Sequence, residues 1–206
     1  MKLFSVDSPL YRFLSKLLDV IRLNFLWMIF SIPIITIGAS TVAAMSVALR
    51  MADDEEGYIG RSFVRAFKEN WKQGTVLWLI TAAAFYGIYL DFQFFEAVEG
   101  NPLMFLIIGI ASSVLAVSAL LYAYPLVARY ENTLFRTINN SIDISRKFVG
   151  KTLLLAGILA LEAVLFQFNT TMLFFGILLG PGFMIYTIAS FSKRIFLRIE
   201  KENSAS

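Results

Sequence analysis

Apolar residues run through this chain in four long stretches, at positions 23–49, 73–90, 100–128 and 152–192, and only the last contains a charge, Glu162. A helix needs about 20 apolar residues to cross a bilayer. The second and third stretches therefore predict one crossing helix each, joined by a loop over residues 91–100. The fourth is long enough for two helices, with a turn at Asn169-Thr170-Thr171. Between the stretches lie polar pieces of helical periodicity. In residues 9–22, Leu10, Phe13, Leu14, Leu17, Leu18 and Ile21 form one apolar stripe, with Ser8 as N-cap and Pro9 at the first helical position. After Asp53, Phe63, Phe67 and Trp71 recur every four residues, while Arg61, Arg65, Lys68 and Lys72 line the other side. That pattern predicts a helix lying on the membrane surface, aromatics in the headgroup boundary and cations towards anionic lipid. Docking of a partner is the functional alternative. A thinner repetition around residues 136–152 predicts a second surface helix ahead of the last two spans.

Composition agrees with the pattern. Hydrophobic residues make up 58% of the 206 and charged residues 16%, against roughly 45–50% and 25% in soluble domains. The expected fold is all-α: a single polytopic membrane domain over residues 1–206, with five or six membrane-embedded helices plus cytoplasmic amphipathic helices. No secretory signal is expected, since the first apolar run begins late and is too long for one. Trp71, Trp78, Tyr86, Tyr89, Tyr122 and Tyr124 fall towards stretch ends, as interfacial aromatics do.

The distribution of Lys and Arg sets an orientation. Of 18, four precede residue 23, five lie in residues 50–72, five in 129–151 and four from Lys193 onward; the two short loops have none. The positive-inside rule places the four basic pieces in the cytoplasm and both termini with them. A single crossing by residues 23–49 would put two basic pieces on opposite sides. Pro33 cannot continue a helix cleanly and Gly38 permits unusual backbone angles, so a helical hairpin turning at residues 33–38 is favoured over five conventional crossings.

Candidate chemistry is sparse. With no Cys and no His, thiol and imidazole catalysis and the usual zinc and haem ligands are excluded, and no cofactor is expected. Glu162 stands about ten residues into its stretch, ~16 Å of helical rise, near the bilayer midplane. An ion or proton pathway is one reading, a protonated carboxyl bonded to a neighbouring helix the other. The run Asp53-Asp54-Glu55-Glu56 lacks the spacing of a calcium loop and reads as a solvated loop or helix end. Gly176 and Gly180 form a GxxxG pattern suited to close helix approach, and Gly180-Pro181-Gly182 suggests a kink or break. Broken helices of this kind form substrate sites in some transporters. No nucleic-acid module is present.

Asn24-Phe25-Leu26-Trp27 followed by Pro33-Ile34-Ile35-Thr36-Ile37-Gly38-Ala39-Ser40-Thr41 resembles the YesL family of bacterial integral membrane proteins, a domain of unknown function. The likeness continues through Asp54-Glu55-Glu56-Gly57-Tyr58, Ser62-Phe63, Ala66-Phe67-Lys68 and Asn70-Trp71-Lys72-Gln73. It reaches Tyr124-Pro125-Leu126 and Ala128-Arg129-Tyr130, and is most specific in the first 80 residues. The resemblance implies a protein typical of Gram-positive bacteria, often encoded beside carbohydrate-uptake transporters, and carries over no site residues. A non-enzymatic accessory of a carbohydrate-import permease is the first expectation, with the bilayer, that permease or a second copy as partner. A transporter or channel in its own right is the second, and an intramembrane enzyme the last.

Overall fold

The computed structural model describes residues 9–53, 58–97 and 103–204. Every regular element among them is helical: α1 (Pro9–Phe30), a 3-10 turn (Ile34–Thr36), α2 (Ile37–Met51), α3 (Ile59–Ala97), α4 (Leu103–Leu120), α5 (Ala123–Arg129), α6 (Leu134–Lys147), α7 (Val149–Gln167) and α8 (Thr170–Ser204). Five stretches are long and apolar enough to cross a membrane: Ile34–Met51, Ile59–Glu96, Leu103–Arg129, Val149–Gln167 and Thr170–Ser204. Their outer faces are apolar as well. Ile107, Val114 and Leu115 of α4, Leu153 and Val164 of α7, and Phe174 and Ile177 of α8 are all exposed. In water such faces would be untenable, whereas in lipid they are the expected solvent contact. The chain is a polytopic helical membrane protein.

Residues 23–49 are not one helix. α1 stops at Phe30, and Pro33 sits in an extended conformation (φ −74°, ψ 111°) ahead of the 3-10 turn. The turn largely satisfies its own backbone. The Thr36 hydroxyl donates at 2.7 Å to the Phe30 and Pro33 carbonyls, and the Ser31 amide donates back to Trp27. Its tip, Ile32, Ile34 and Ile35, is exposed and apolar, which suits hydrocarbon better than water. Across the turn the Trp27 indole donates to the Thr41 hydroxyl at 3.0 Å. α2 has 15 residues and so rises only about 22 Å, less than the ~30 Å of a hydrocarbon core.

α2 forms the centre of the bundle. Ala39, Ala43, Ala44 and Ala48 are fully buried, and their small side chains bring α3 very close. Gly38 lies inside the helix, not at a hinge as its sequence position suggested. A Cβ there would fall 2.1 Å from the Gly74 carbonyl oxygen, and one on Gly74 would fall 2.6 Å from the Ala39 Cα. The two glycines mark where the backbones of α2 and α3 meet. Trp78 has its Cβ against Gly38, so it takes part in this contact. Leu23, Met45, Phe63 and Ile185 extend the same core towards α1 and α8. A second core joins Tyr122, Ile144, Leu155 and Phe196.

Three further expectations are corrected. The surface helix carrying Arg61, Phe63, Arg65, Phe67, Lys68, Trp71 and Lys72 is the first part of α3, a 39-residue helix that continues into the span. No Pro or capping glycine stops it, and Phe63 and Phe67 face inward, their rings 5.2 and 5.0 Å from that of Phe30. The expected loop at 91–100 starts late, because α3 runs on to Ala97. Asp91 stays helical by accepting from the Ser112 hydroxyl of α4 at 2.7 Å. The third stretch is two helices, broken at residues 121–122. A proline's ring collides with the carbonyl four residues before it; for Pro125 that is Leu121. Downstream, α6 is a separate helix from α7, as the second surface helix predicts. The turn near Asn169 is also as expected, with the Asn169 carboxamide capping the Met172 amide at 2.8 Å.

Candidate functional site

The two prolines within the spans interrupt the ladders of their helices, and beside each of them a neighbouring rung is taken up by polar side chains from elsewhere. At Pro181, where the sequence suggests a kink or break, α8 continues as one helix. Asn24 of α1, wholly buried, inserts its carboxamide between the two groups that would otherwise pair. Its Nδ2 donates to the Leu178 carbonyl, and its Oδ1 accepts from the Gly182 amide at 2.7 Å. Gly182 is what admits it, since an added Cβ would meet the Asn24 Cβ at 2.7 Å. Gly176 and Gly180 serve a different contact. Both face the Phe166 ring of α7, at 2.7 Å to its Cγ and 3.2 Å to its Cε2 for an added Cβ. The GxxxG pattern thus seats an aromatic ring.

At the α4–α5 break the Tyr122 amide and the Ser118 carbonyl, partners in an unbroken helix, are taken over by α6. Ser141 Oγ accepts from the Tyr122 amide at 3.2 Å and donates to the Ser118 carbonyl at 3.0 Å, while Ser145 donates to the same carbonyl at 3.1 Å. Tyr122 is fully buried, its hydroxyl 3.1 Å from that of Thr152, and the Tyr124 hydroxyl is 2.9 Å from that of Thr81. Both tyrosines thus direct their hydroxyls to partners within the bundle.

Glu162 is half-buried on α7. Its Oε1 accepts from the Thr187 hydroxyl of α8 at 2.8 Å, and among the described residues its buried Oε2 has no partner. Asn24, Pro181 and Glu162 thus all engage α8, but at separate contacts.

A third cluster lies where the basic segments converge. Arg129 makes a two-pronged pair with Glu200, both N–O distances 3.1 Å, and the Tyr130 hydroxyl donates to the same carboxylate. Burial, helped by the Glu200 carboxylate, pushes the Tyr130 phenol up to about 12. Lys147 and Arg198 share Glu202, and Lys193 binds both Asp53 and the Ala52 carbonyl. Of the acidic run, Asp53 is therefore an ion-pair partner; Asp54, Glu55 and Glu56 lie outside the described residues, as does Ser8. Beside this cluster is a cavity of about 380 Å³ lined by Tyr130, Asn132, Asn140, Asp143, Lys147 and Glu200 among others. Sequence reasoning missed it because its residues come from three elements and no local spacing joins them. Asn24 was missed too, although an amide deep in an apolar stretch was its signal.

Residues 20–92 match the family model described as "Protein of unknown function, DUF624". Over 211 aligned residues, 98% of either chain, the protein is 27% identical to "Uncharacterized protein YesL" of Bacillus subtilis (strain 168). No solved structure matches. The matched region holds α2, the glycine crossing and Asn24. The resemblance to the YesL family is thus borne out, by the DUF624 model over residues 20–92 and by YesL itself along nearly the whole chain.

Proposed function

We propose that this protein is a non-enzymatic accessory component of the cell membrane that assists a carbohydrate-import permease through helix–helix contact. The observation that carries this reading is the capture, by the chain's own side chains, of backbone groups beside both prolines. A helix broken in order to bind a substrate or an ion leaves backbone amides and carbonyls free for it. Here Asn24 occupies the opening at Pro181, and Ser141 and Ser145 that at Tyr122. The interior then serves rigidity, and the exposed faces are what remain for recognition. The carbohydrate element rests on the family resemblance alone. In this reading the basic segments and both termini are cytoplasmic, in keeping with the distribution of Lys and Arg.

A second reading, a proton-coupled or small-solute carrier, is favoured by the unpartnered Glu162 Oε2. An ionisable group within a span is costly and by default functional. Reconstitution separates the two. Purified protein in sealed vesicles is expected to give no sugar or proton flux above empty vesicles, and crosslinked purification from native membranes is expected to recover a sugar permease. Flux by the protein alone, abolished in Glu162→Gln, would overturn the accessory reading.

A further inference from the structure

An open groove of about 690 Å³ runs between α1 and the first turns of α3, lined by Leu26, Gly60, Arg61, Val64, Arg65 and Lys68, with Glu69 at its edge. Its floor is apolar, and exposed Phe25 and Ile29 of α1 carry the apolar surface onward. Its rim is cationic. Arg61, Arg65, Lys68 and Lys72 are exposed on successive turns, and among the described residues Arg65 is the one of these with an ion pair, to Glu69 at 2.8 Å. Arg61 lies over the Tyr58 ring, 5.2 Å from its centroid, which keeps its guanidinium close to the groove. Trp71, half exposed with Lys72 above its ring at 5.8 Å, stands just beyond Lys68.

An apolar trough with cations along its rim matches the two parts of one kind of molecule. We propose that this groove binds an anionic phospholipid, its phosphate between Arg61 and Lys68 and an acyl chain along Leu26 and Val64. The exposed apolar face of α1 runs on from the trough through Ile29 to Ile32 and the apolar turn, a path that suits an acyl chain. The site is independent of any transport or accessory role, and would tie the start of α3 to the leaflet on that side.

The full chain, purified in mild detergent and stripped of lipid, can be titrated with phosphatidylglycerol or phosphatidylcholine and bound lipid counted by native mass spectrometry. One phosphatidylglycerol is expected to be retained, phosphatidylcholine not, and inorganic phosphate is expected not to displace it. Removing both cations in Arg61→Gln/Lys68→Gln should weaken retention roughly thirty-fold, about five-fold per charge. Val64→Trp, which fills the trough and leaves the charges, should abolish it as well. A control with two cations removed elsewhere, Arg198→Gln/Lys201→Gln, should retain the lipid. Equal retention of the two lipids, equal losses in the test and control variants, displacement by free phosphate, or a protein segment occupying the groove in place of lipid would each overturn the proposal.

Discussion

A carboxamide has the donor and acceptor of a peptide group, and Asn24 uses both to replace a rung of the α8 ladder. Within hydrocarbon no water is available to do so, so the exchange is worth more than a surface hydrogen bond. Asn24→Ala strands the Gly182 amide and the Leu178 carbonyl and is expected to destabilise the protein by about 1–2 kcal/mol. In a Pro181→Ala background the helix can close its own ladder, so the same substitution should cost less. Thermal unfolding of the four proteins in detergent measures the coupling; additive losses would show that Asn24 does not act through the proline break. The residue scale was only half legible in the sequence. Pro33 announced its turn because no partner is needed to see that a proline stops a helix. What Gly38 and Pro181 do was not legible, because it depends on the residue facing each, Gly74 in one case and Asn24 in the other.

Among elements, the boundaries the sequence revealed were those made by local chemistry, such as the turn at Asn169, whose side chain caps the Met172 amide. Those it concealed were made by contact. α3 ignores the change from amphipathic to wholly apolar at residue 73 because the helix simply changes neighbours there, Phe30 below and Leu77's partners above. The end of α5 is tied to α8 through Arg129, Tyr130 and Glu200, and this tether has a pH dependence. The Tyr130 phenol loses its proton at about 12 when folded and near 10 when unfolded. Its contribution to stability is therefore complete below pH 10 and declines as pH rises from about 10 to 12. Unfolding midpoints measured across that window should fall, and should fall less in Tyr130→Phe. An identical decline in the variant would remove the tyrosine from the account.

For the whole molecule, composition alone indicated a membrane protein and the folded chain agrees, with apolar side chains turned outward on α4, α7 and α8. What composition could not supply is the interior. It is built on a short central helix, two backbones in contact at Gly38 and Gly74, and two prolines beside which backbone groups are taken up by Asn24 and by Ser141 with Ser145. The proposed arrangement in the bilayer puts the basic segments on the cytoplasmic side and the turn between α7 and α8 outside. The chain has no cysteine, so single cysteines report on it directly. Arg136→Cys on α6 and Thr170→Cys at the outer turn are both exposed positions. In intact cells a membrane-impermeant maleimide should label Thr170→Cys and leave Arg136→Cys unlabelled until the membrane is opened. Labelling of Arg136→Cys in intact cells, with Thr170→Cys protected, would contradict the orientation.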